Sequence, residues 1–157
     1  MANECKKDFN ARMNASKDMP KIVKLDEEAS KKWGGKTMVI APPIDYDEFI
    51  KCVPSGKLIT TDTLRKAMAK KYNVDITCPL TCGIFVNIVA WASFQRNSNI
   101  TPYWRVLKSD GELNIKYPHA IELQKRLLEE EGHTIITKGR KNNKYYVKDF
   151  EKSLMEL

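Results

Sequence analysis

Two neighbouring aromatic residues, Tyr103 and Trp104, lie between Pro102 and Arg105 in the stretch TPYWRVLKSDGELN, ahead of a polar Ser109-Asp110-Gly111 turn. A phenol and an indole so placed either plug a core or occupy a place where another protein keeps reactive side chains. Thiols are the second chemistry-bearing group. Cys78 and Cys82 are four residues apart, a spacing that sets both on one helix face. Zinc would need further ligands, and His119 and His133 are the two histidines, so a pair of packed thiols is expected rather than a metal centre. The third group is cationic. Between Gly132 and Lys148 there is no acidic residue, while Lys138, Arg140, Lys141 and Lys144 are basic. Such a segment serves as a phosphate-contacting surface or as a solvated turn.

The whole chain of 157 residues carries a formal charge of +7. That balance favours an anionic partner, nucleic acid before an acidic membrane surface. No apolar run is long enough to cross a bilayer, and the N-terminus lacks the pattern of a secretory signal. A cytoplasmic monomer with reduced thiols, no cofactor and no membrane partner is therefore expected.

The elements that would position these groups read as follows. Residues up to Pro20 form a tail or a loosely docked helix. KIVKL is a strand, DEEASKKW a helix capped by Asp26, TMVIAPP a strand stopped by prolines, and DYDEFIKCV a helix. TTDTLRKAMAKKYN is a helix capped by Thr61 or Asp62, with Leu64, Ala67 and Met68 inward. Pro79 opens the next helix, whose apolar residues run nearly all round from Ile84 to Phe94 and predict burial on every side. Asn87 is the exception there and needs a hydrogen-bond partner. TPYWRVLKSDGELN predicts strand, turn and strand. HAIELQKRLLEEEG predicts a helix burying Ala120, Leu123, Leu127 and Leu128 and closed by Gly132. A hairpin turning at Asn142-Asn143 and a short helix docking Phe150 and Leu154 complete the chain.

A capped basic helix, a second helix and a β-turn-β unit make an α+β chain with a winged helix-turn-helix core. The segments VPSGKLITTDTLRKAM, CPLTCGIFVNIVAWA, TPYWRVLKSDGELN and ELQKRLLEEEGH resemble, in order and spacing, the C-terminal domain of the alkylguanine-DNA alkyltransferases and their non-catalytic alkyltransferase-like relatives. The resemblance covers roughly residues 50 to 133. It divides the chain into an N-terminal extension (1–45), the winged-helix domain (46–133) and a basic hairpin with a terminal helix (134–157).

The resemblance implies a flipped-guanine pocket whose nucleophilic cysteine and adjacent histidine are replaced by Tyr103 and Trp104. A phenol titrating near pH 10 with no neighbouring base is a poor substitute, so no alkyl transfer is expected. Glu131 matches the family's histidine-orienting glutamate. The family's base-rotating tyrosine falls on Thr61, and its inserted arginine on Gly83. Pro79, Leu80, Thr81 and Gly83 would approach the minor groove or merely begin a core helix, and Ser109 belongs to the pocket frame. Arg105 meets phosphate or base, or pairs with Glu131.

The leading expectation is thus a non-catalytic binder of double-stranded DNA, sensing alkylated or modified bases and working with a repair-protein partner. A winged-helix interaction module for a protein or small ligand is the alternative. An enzyme using Cys82 or Cys78, with a thiol pKa lowered by a helix N-terminus, is the third reading.

Overall fold

The computed structural model describes residues 7–15, 18–141 and 143–156. Cys5 and Asn142 lie outside them. Helix α1 (Phe9–Asn14) is capped by Asp8 and buries Phe9 and Met13. Strands β1 (Lys21–Lys24) and β2 (Thr37–Ile40) flank α2 (Glu27–Trp33), which Asp26 caps as expected. Helix α3 (Pro43–Lys51) opens on a proline, so the pair that ends β2 also begins the helix. Then come β3 (Ile59–Thr60), α4 (Thr61–Lys71), β4 (Ile76–Thr77) and α5 (Pro79–Gln95). After β5 (Val106–Leu107) follow α6 (Ala120–Glu130), β6 (Ile135–Lys138) and β7 (Lys144–Val147). Among the described residues, no helix is long and apolar enough to cross a membrane.

α5 is the axis of the molecule. α1, α3 and α4 pack on it, and one core cluster collects Phe9, Tyr46, Leu64, Val86, Val89 and Tyr103. β2 pairs with β1 in antiparallel fashion and with β4 in parallel. Residues 9–45, expected as an extension, thus contribute Phe9, Met13, Val39 and Ala41 to this core. A second cluster of Leu58, Leu107, Leu113, Leu128 and Val147 holds the C-terminal hairpin, with Phe150 and Leu154 packed against it.

Four local expectations are corrected. The cap of α4 is Thr60, whose Oγ1 accepts from the Thr63 N–H at 3.3 Å. Thr60 is still extended because β3 holds it, so Thr61 is already helical. Asp62 pairs instead with Arg65. Secondly, α5 is not buried all round: Leu80 is 70 % exposed and Ile84 57 %.

Thirdly, TPYWRVLKSDGELN is not strand, turn and strand. Tyr103–Arg105 is a 3-10 turn, and β5 pairs in parallel with β3. The turn at Gly111 exists, with φ +89°, and a side chain there would run into the Phe150 ring. Beyond it the chain turns to β7 rather than back to β5: Leu113 donates to the Tyr145 carbonyl and Val147 to that of Gly111. Finally, the buried face of α6 centres on Gln124 and Leu128, while Ala120, Leu123 and Leu127 are half-buried.

Candidate functional site

The centre of the TPYWRV stretch is a polar knot built on Glu131, the residue that ends α6. Arg105 Nη2 donates to Glu131 Oε2 at 2.9 Å and Arg105 Nε to Oε1 at 2.9 Å. The Trp104 indole N–H donates to Oε2 at 2.7 Å, and the Gly56 N–H to Oε1 at 3.2 Å. Arg105 Nη1 is spent on the Val53 carbonyl at 2.6 Å. Of the two expectations for Arg105, the pair with Glu131 is the one formed. It also accounts for an acidic residue at a helix C-terminus, where the dipole disfavours one.

Burial raises the Glu131 carboxyl, but hydrogen bonds from Arg105, Trp104 and Gly56 outweigh it and hold the group below its ordinary 4.5. Next to it, burial depresses the His133 imidazole below its ordinary 6.5, and its Nε2 is enclosed without a hydrogen-bond partner. Both folded-state values lie below the unfolded ones. Each group therefore contributes stability that is present above its unfolded value and lost as pH falls through its folded one. Urea midpoints are expected to decline as pH drops below about 6.5 and again below about 4.5. Glu131→Gln should flatten the second decline and spare the first.

Tyr103 is 3 % exposed and packs edge-on between Trp104 and Tyr117, with ring centroids 5.4 and 5.3 Å away. Burial pushes its phenol up to about 12. Behind it Gln124 ties the turn together, accepting from the Asn114 N–H and donating to the Trp104 carbonyl. The phenol is a core plug, and the indole is a buttress for Glu131.

The thiol reading fares differently from its expectation. Cys82 is 1 % exposed, and burial drives its thiol up to about 11, against any lowering by the helix terminus. Cys78 is also buried. Among the described residues, no group of three or more His, Cys, Asp or Glu is placed to hold a metal ion.

The open surface lies elsewhere, in a groove of about 430 Å³ between the starts of α4 and α5 and the segment after the Gly111 turn. It brings together Thr61, Pro79, Leu80 and Gly83 from the sequence-derived set. A side chain at Gly83 would meet nothing within 4 Å, so this glycine is not required by crowding. Thr81, Tyr103, Trp104, Arg105 and Ser109 do not line the groove; the Thr81 hydroxyl turns back to the Cys78 carbonyl at 3.4 Å.

Ile84 and Asn87 extend the α5 wall, and Lys108, Asn114, Ile115 and Lys116 form the opposite one. Sequence reasoning missed these six. The helical spacing 79, 80, 83, 84 and 87 held the signal for the first wall. Asn87 has the partner it needs, accepting from Asn114 Nδ2 at 3.3 Å across the groove. Lys138, Arg140, Lys141 and Lys144 are exposed on the β6–β7 hairpin, Lys138 lying 4.6 Å over the Tyr146 ring.

No protein-family model matches the chain, and neither does any curated protein. Among solved structures, the chain is similar to the crystal structure of S. pombe Atl1 in complex with damaged DNA containing O6-carboxymethylguanine. The two share 18 % identity at a TM-score of 0.50, over 73 % of this chain and 94 % of that one. At this identity, the likeness shows a common α+β fold.

Proposed function

We propose that this chain is a non-catalytic DNA-binding protein of the alkyltransferase-like kind, holding double-stranded DNA in the α4–α5 groove of a winged helix-turn-helix frame. The groove carries the reading: Thr61, Pro79, Leu80 and Gly83 meet on one open face, walled opposite by Lys108 and Lys116. Likeness in fold to Atl1, solved on damaged DNA, supports the same choice. In this frame α4 and α5 are the helix pair, and residues 111–113 with the β6–β7 hairpin are the wing.

Absence of catalysis follows from chemistry at three places. Tyr103 is a buried phenol with no base beside it, and the Trp104 N–H takes the carboxylate that a histidine would need. The Cys82 thiol is buried and raised. Sensing of an alkylated or modified base is the narrower reading. It would have to work from the groove walls, at Asn87 and Asn114, because Tyr103 fills the space behind.

The test is a competition between a plain duplex and the same duplex carrying one alkylguanine, followed by intact-mass measurement. Both duplexes are expected to be retained and the protein mass to stay unchanged. A gain equal to the alkyl group would contradict the non-catalytic assignment, and retention of neither duplex would contradict the whole reading. Tighter binding of the alkylguanine duplex is the result that adds lesion sensing; equal binding removes it.

A further inference from the structure

Among the described residues, the large apolar side chains with most of their surface in solvent are few: Leu80 at 70 %, Ile115 at 65 %, Ile84 at 57 % and Ile22 at 53 %. Three of these four line the groove. Leu80 and Ile84 are one helical turn apart on α5, and Ile115 faces them from the segment after the Gly111 turn. Nothing in the fold needs them there, since the interior side of α5 is already closed by Cys82, Val86, Val89 and Ala90. Apolar side chains kept in water at one place lower the free energy when something apolar covers them.

The surroundings select the cover. The groove walls hold Lys108 and Lys116 and no carboxylate, although Lys108 has Glu112 at 3.8 Å. The turn that carries this wall is hydrogen-bonded to β7, so the cationic hairpin is continuous with it. An apolar ridge inside a cationic rim complements a duplex, whose phosphates flank a stack of apolar base faces. Room for an extruded base behind the ridge is taken by Tyr103, at 3 % exposure.

We propose that Leu80, Ile84 and Ile115 form an apolar wedge that enters the minor groove of duplex DNA, opens one base step and bends the duplex without extruding a nucleotide. This rests on the duplex-binding reading above, and adds to it how the duplex is held. The wedge recovers apolar burial from the unstacked step, while Lys108 and Lys116 meet the flanking phosphates.

The test uses the full chain and a plain short duplex labelled at both ends for energy transfer, with 2-aminopurine at its centre. Binding of the unaltered protein is expected to shorten the end-to-end distance. Leu80→Ala/Ile84→Ala/Ile115→Ala should lose most of that bend and about tenfold in affinity, with an unchanged salt slope. The three sites are solvent-exposed, so its melting temperature should match that of the unaltered chain. Lys108→Gln/Lys116→Gln should keep the bend and reduce the salt slope by about two. A duplex that is bound but unbent, or bent equally by the triple variant, overturns the wedge and leaves duplex binding standing. Failure to retain duplex at low salt overturns both. A rise in 2-aminopurine emission to the level of an unpaired, unstacked base overturns the exclusion of extrusion. A concentration-dependent dimer abolished by the triple variant would assign the groove to a second copy and overturn the wedge as well.

Discussion

Replacing Arg105 with alanine is expected to lower the stability of the fold by about 3 kcal/mol, the range for breaking one side of a buried ion pair. The side chains of Arg105 and Glu131 are 13 % and 11 % exposed, so water does little to screen or replace the lost charge. The carboxylate would keep two donors, Trp104 Nε1 and the Gly56 N–H, while the Val53 carbonyl would lose its guanidinium. Thermal melting followed by circular dichroism should fall by about 10 °C in a chain of this size. Arg105→Lys should recover only part of this, because an ammonium cannot reproduce the fork that grips Glu131 and Val53 together. Arg105→Ala combined with Glu131→Ala should cost less than the two single losses added, since each removes the other's unpaired charge. Strict additivity would mean that the pair is solvent-screened and that Glu131 does not organise the turn.

The other large effect is on binding. Neutralising Lys138, Arg140, Lys141 and Lys144 together as glutamines is expected to weaken duplex binding by at least about 100-fold near physiological salt, and to flatten the salt dependence by roughly two to four. All four are exposed. They bear no ion pair closer than 4.0 Å among the described residues, so melting should move little. Fluorescence anisotropy of a labelled duplex over a salt series separates the outcomes. An unchanged slope would reduce the hairpin to a solvated turn.

What could be read from the residues, and what could not, divides on physical lines. Helix ends with side-chain or backbone caps were legible: Asp26 before α2, Pro79 at the start of α5, and Gly132 past the end of α6 with φ +93°. The β6–β7 hairpin was legible because each arm is long enough to set a register. Two-residue strands are not, which is why the parallel pairing of β3 with β5 went unseen. Gln124 was missed because polarity suggests a surface position. Here it is 0 % exposed, and its amide satisfies the Asn114 N–H and two carbonyls. α5 was misread for the opposite reason: an apolar residue on every side predicts burial, and only the packing leaves Leu80 and Ile84 bare.

At the site, the Arg105–Glu131 pair was foreseen from an acid at the wrong end of a helix, whereas the use of Trp104 as its second donor was not. Tyr103 and Trp104 look alike as a filling, yet one closes the core and the other holds a carboxylate. Residue types could not separate these roles, because an indole N–H finds its acceptor only through tertiary contact.

Duplex binding itself is tested most directly by titrating the unaltered protein against a plain duplex at rising ionic strength. The account predicts saturable binding at low salt and a logarithm of affinity falling linearly with that of salt, with a slope of about −3 or steeper. A protein that retains no duplex at the lowest salt would contradict it.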